Sequence, residues 1–156
     1  NRNMVLCMKT EHLPPRPEFV WSLPEIFAFF DRIEAVMSEK LNTDDGDAVS
    51  TMIADLLSLF SSSTNVCASA SWYYEAALRA EYEYVAGAIK TKEIPSELKP
   101  LTSPSVLSKY ISARCADFLY IRTKADRVNA SITHTLDALR SVLSKLKTDM
   151  QIQTMA

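Results

Sequence analysis

A chain of 156 residues has the length of one domain, and 47% hydrophobic against 23% charged residues is a globular composition that excludes disorder. Only two glycines are present, which excludes a glycine-rich phosphate loop and argues for long helices with few tight turns. The net charge of −2 conceals an asymmetry: residues 105–150 hold eight Lys or Arg against four Asp, and the remainder nine against fifteen acidic residues. That pattern fits attraction between subunits or a phosphate-binding surface, and equally fits solvated helix faces that merely differ.

Residues 1–23 read as an extended arm, because HLPPRPEF carries prolines at 14, 15 and 17 and so forbids a helix. Phe19, Val20 and Trp21 are expected to dock on the body or on a neighbour. Residues 24–156 read as a single helical domain. Its first helix, about 24–42, starts with Ser22 as N-cap and Pro24 and Glu25 in the first turn, and Ile26, Phe27, Phe29, Phe30, Ile33, Val36 and Met37 follow the helical period. The run TDDGD resembles a calcium loop, but Met52 stands where the bidentate Glu would fall. It is read instead as a turn in which Asp47 caps the next helix.

That helix is predicted over 47–92, with SSSTNVCASAS raising the option of a break near 61–66 because Ser, Thr and Asn have weak helix propensity. Its seam is read along Ile53, Leu57, Phe60, Thr64, Cys67, Ser71, Tyr74, Leu78, Glu81, Val85 and Ala88. A connector with three prolines follows, and Ser103 and Pro104 open a last helix predicted over 104–150, about 70 Å at 1.5 Å per residue. Its heptad spacing is the strongest pattern in the chain. Phe118, Ile121, Val128, Ile132, Thr135, Leu139, Val142 and Leu146 are read as an oligomer interface, on the reasoning that a chain this short has little else to cover so long a stripe. Within it, NASITHT (Asn129 to Thr135) is read as a polar layer that sets register or assembly. The predicted fold is therefore all-α: a long-helix bundle or coiled-coil-like helical hairpin with a proline-rich N-terminal arm.

Chemistry is sparse. Three cysteines at 7, 67 and 115, with no Cys-x-x-Cys and two isolated histidines at 12 and 134, form no zinc or disulfide framework. No nucleophile or metalloprotease motif occurs, so a non-enzymatic protein with no cofactor and no metal is expected. No apolar run has the roughly 18 residues of a membrane span, and MVLCM is too short for a signal peptide. The expectation is a soluble cytoplasmic protein, in the host cytoplasm if its source is viral. What stands out is the interleaving of aromatic and basic side chains. Tyr73, Tyr82 and Tyr120 are candidates to stack unpaired bases, and Arg79, Lys90, Lys92, Arg122, Lys124 and Arg127 to neutralise phosphates. The alternative is tyrosine packed at helix interfaces with its hydroxyl wet.

The run EAALRAEYEYV, Glu75 to Val85, and the tail LDALRSVLSKLK, Leu136 to Lys147, resemble helices of the phage recombination mediators of the UvsY type. The likeness spans about residues 65–150. It implies a small, all-helical homo-oligomer that binds single-stranded DNA, with a recombinase and a single-strand-binding protein as partners, and it sets Arg79 where the family has a basic residue implicated in DNA contact. Glu81 and Glu83 beside Arg79 depart from that pattern and lower the local positive potential. The rival expectation is a structural, scaffold or assembly protein of a virus that binds only protein chains.

Overall fold

The computed structural model describes residues 10–91 and 103–156, and the residues described form an all-α structure without strands. Four helices follow one another: α1, Leu23–Ser38; α2, Gly46–Thr91; α3, Pro104–Arg114; and α4, Ala116–Met155. Local chemistry sets their starts. Ser22 and Glu25 form a capping box on α1: the Ser22 N–H donates to the Glu25 carboxylate at 2.7 Å, and the Glu25 N–H donates to Ser22 Oγ at 3.4 Å. The backbone hydrogen bond from Ser22 holds the Glu25 carboxyl below the usual carboxylate range. Its contribution to the cap is thus present above the unfolded carboxylate pKa and lost as pH falls through the lowered value. Ser103 caps α3 without the reciprocal half, its Oγ accepting from the Val106 N–H, with Pro104 in the first turn.

Four boundaries differ from the sequence expectation, one of them the end of the last helix, which runs to Met155 rather than 150. Asp45, not Asp47, caps α2, its carboxylate accepting from the N–H groups of both Asp47 and Ala48. The first helix stops at Ser38 rather than Asn42, because Glu39 turns extended and returns the chain so that Leu41 packs on the core. The last helix is two pieces. The Cys115 N–H is shared among the carbonyls of Ile111, Ser112 and Ala113, and its backbone leaves helical geometry at φ −99°, ψ 10°. Separate apolar clusters form on either side of this kink, Ile111 with Val85 and Phe118 with Tyr73. No proline or glycine marks the position, so periodicity alone reads straight through it. By contrast, α2 is unbroken across 61–66. Packing of Ser63, Val66 and Ser69 into the core overrides their weak propensity.

α2 and α4 lie antiparallel along most of their length. Tyr73 meets Phe118, Ser63 meets Asn129, and Asp44, just ahead of α2, lies beside Leu146. α1 lies across this pair, parallel to α4, with Phe30 at Lys124 and Met37 at Thr135. The Trp21 N–H donates to Ser69 Oγ at 2.9 Å, Val20 is buried, and Phe19 stays in solvent.

This packing corrects two readings of the heptads. Phe118, Ile121, Ile132 and Leu139 are buried against the chain's own helices, and Val128, Thr135, Val142 and Leu146 are half-buried beside them. The stripe assigned to an oligomer interface is covered from within, because α2, at 46 residues, is long enough to line it. From Leu57 to Leu78 the seam of α2 is also one residue out of phase, the buried row being Leu56, Leu59, Ser63, Val66, Ala70, Tyr73 and Ala77, whereas Val85 is buried as read. Two helices press on α2 from different directions. Two adjoining rows of α2 therefore touch neighbours, and they differ too little in hydrophobicity for the heptad spacing to choose between them.

Candidate nucleic-acid interface

The basic and aromatic candidates do not form one surface. Tyr73 belongs to the core at 5% exposure, its ring stacked on Phe118 with centroids 6.1 Å apart, and it has no face to offer a base. Burial pushes its phenol pKa up. That assignment is corrected by the one-residue phase shift, which turns Tyr73 inward and leaves Tyr74 on the flank.

Arg79 is two residues beyond buried Ala77, hence on the opposite side of α2, exposed between Glu75 and Glu83 one turn away on either side. Lys90 is exposed farther along the same helix, and Lys92 lies outside the described residues. Tyr82 is 46% exposed, with its hydroxyl 3.4 Å from Ser108 Oγ. The nearby Arg114 is neutralised by Glu81 at 2.8 Å and lies over the Tyr110 ring. Sequence reading missed this ion pair because 33 residues separate its partners. Only the antiparallel register brings them together.

α4 holds the remaining candidates, on two flanks. Arg122 sits over the Tyr74 ring at 5.5 Å, on the flank facing α2. Tyr120, Lys124 and Arg127 follow at spacings of four and three and share one flank, with Tyr120 and Arg127 turned away from Phe118, Ile121 and Ala125 and Lys124 at the edge of that buried stripe. Tyr120 is 48% exposed and Arg127 exposed, while Lys124 reaches across to α1 with its ammonium 5.0 Å from the Phe30 ring centroid. The ion pairs found among the described residues use neither Lys124 nor Arg127. Asp31 and Glu34, exposed on α1 beside Phe30 and one turn beyond it, bring negative charge to the edge of this strip.

Between α2 and α4 lies a polar cluster that the sequence flagged on one side only. Ser63 Oγ donates to Asn129 Oδ1 at 2.8 Å, and Cys67 sits beside Asp126. Burial, then the Asp126 charge, push the Cys67 thiol up to about 11. A thiol with a raised folded pKa contributes stability that is present below its unfolded pKa, about 8.5, and is lost as pH rises through the folded value. Its nucleophilicity falls with its thiolate fraction. Alkylation at pH 9, quantified at Cys67 by peptide mass mapping, is expected to be more than about ten-fold slower in the folded protein than in urea. Equal rates would contradict the assigned environment.

Among the described residues, no group of three or more His, Cys, Asp or Glu side chains could hold a metal ion, and no helix is long and apolar enough to cross a membrane. A hollow of about 330 Å³ under the N-terminal segment is lined by Arg16, Trp72 and Tyr73 among others, but the Arg16 guanidinium is already donating to the Val20 carbonyl. No family model, curated protein or solved structure matches the chain.

Proposed function

We propose that this chain is a non-catalytic protein that binds single-stranded DNA along the outer flank of α4, on a coiled-coil-like helical hairpin preceded by a proline-rich arm. The observation that carries the reading is the one flank of α4 that holds exposed Tyr120 and Arg127 with half-buried Lys124 between them. It couples an aromatic surface for a base with two cations at a spacing that follows the helix axis. In this reading the protein works as an accessory to recombination, with a recombinase and a single-strand-binding protein as its partners. Arg79, Lys90 and Tyr82 lie apart from that face and play no part in it.

The test is fluorescence anisotropy of a labelled poly-dT oligonucleotide. Two phosphate contacts give a log–log salt slope of about −1.4. Tyr120→Ala is expected to weaken binding by about five- to a hundred-fold, the range of one lost base stack. Arg127→Ala is expected to weaken binding and flatten the salt slope, whereas Arg79→Ala leaves both unchanged. Absence of binding at low salt, or an equal loss with Arg79→Ala, would sink the proposal. The first of these outcomes favours the rival reading, a viral structural or assembly protein whose partners are protein chains.

A further inference from the structure

α4 runs past the start of α2. Thr43 and Asp44 lie beside Leu146, so the positions of α4 beyond it have no α2 beside them. Met150 is 66% exposed there and Ile152 61%. Val142, Lys145, Asp149 and Ile152 follow at spacings of three, four and three and so lie along one face of α4. Half-buried Val142 and Leu146, with Lys145 and Asp149 of the same helix and Thr43 and Asp44, line a hollow of about 200 Å³ on this face.

We propose that this strip is the surface on which two copies of the chain pair, with their α4 helices antiparallel about a two-fold axis near Lys147. The four positions are symmetric about Lys147, so in that arrangement residues equally distant from it meet. Lys145 then faces the partner's Asp149, and Ile152 enters the hollow beside the partner's Val142. Each copy supplies both halves of each contact. This self-complementarity selects a second copy as the occupant. A nucleic acid would meet the carboxylates of Asp149 and Asp44, and a uniformly charged protein would meet like charge at one end of the strip. The contact spans only about three helical turns per copy, below the area of a standard stable interface, so the dimer is concentration-dependent. It is independent of the nucleic-acid reading, since Tyr120, Lys124 and Arg127 lie several turns away.

Sedimentation equilibrium over protein concentrations up to about 1 mM tests the proposal. The unmodified chain is expected to populate a dimer at the upper concentrations. Ile152→Asp, at an exposed position clear of α2, is expected to raise the dimer Kd by at least ten-fold with the circular-dichroism melt unchanged. Lys145→Asp is expected to weaken pairing through Asp–Asp repulsion, and adding Asp149→Lys to it should restore pairing. Three results overturn the proposal: a monomer at every concentration, an assembly indifferent to Ile152→Asp, or a double variant no better than Lys145→Asp alone.

Discussion

Replacing Ile132 with alanine is expected to lower the unfolding free energy by about 3–5 kcal/mol, measured by urea denaturation followed by circular dichroism. Ile132 is wholly inaccessible to solvent and belongs to the cluster that holds Leu56, Leu59, Ile33 and Leu136. Its removal forfeits the transfer of three carbon groups from water and leaves a void. The size of the loss depends on whether the surroundings can collapse into that void. Here they are two helices of 46 and 40 residues fixed by contacts on both sides of the site, with α1 across them, and such a frame relaxes little. Ile132 is also the one large apolar side chain in NASITHT, so no neighbour in that stretch can swing in to replace it. A loss below about 1 kcal/mol would mean that α4 does not pack at this level as described.

The same residues show what was legible in the sequence. Ser22 with Glu25 and Ser103 with Pro104 were readable because caps are local: the donor and acceptor lie within a few positions of one another. The stripe of α4 was readable because Phe118, Ile121, Ile132 and Leu139 are large and their spacing is regular. What covers that stripe was not legible. Its partner row on α2, Leu56, Leu59, Ser63, Val66, Ala70, Tyr73 and Ala77, is no more apolar than the adjoining row Leu57, Phe60, Thr64, Cys67, Ser71, Tyr74 and Leu78, so periodicity alone does not choose between them. The phase error that moved Tyr73 from the core to the candidate surface has the same origin. So does the dispersal of the basic residues: Arg79 and Arg127 sit on different sides of the molecule, and only the antiparallel register decides that. The two flanks of α4 were separable in principle, since Arg122 and Lys124 are two residues apart and a helix turns them to opposite sides.

Asn129→Ala is expected to cost about 1–3 kcal/mol, although it removes only a small amount of buried area. Asn129 accepts the hydrogen bond of Ser63, whose side chain is 1% exposed between α2 and α4. With the acceptor gone, the hydroxyl keeps its desolvation cost and must turn to a backbone carbonyl of its own helix or remain without a partner. Ser63→Ala alone should cost less, because Asn129 is only partly buried and can bond water. The double variant Ser63→Ala with Asn129→Ala removes the orphan as well as the bond, and is expected to be more stable than the sum of the single losses implies. A coupling energy of about 0.5 kcal/mol or more in this cycle would establish that the two side chains act as a unit. Additive losses would mean that each is satisfied independently. The outcome bears on the polar run in α4. The seven residues of NASITHT are not a surface site: Asn129 bonds α2, Ile132 fills the core, and the Thr135 hydroxyl lies 3.7 Å from the Met37 sulfur on α1. A coupled Ser63–Asn129 pair fixes the axial register of α4 on α2, since a shift of α4 by one turn would bury the hydroxyl against apolar atoms. α4 packed on α2 in this way keeps Arg127 and Tyr120 exposed on its outer flank. A variant that weakens the pair should therefore loosen the helix that carries Tyr120 and Arg127 without touching either side chain.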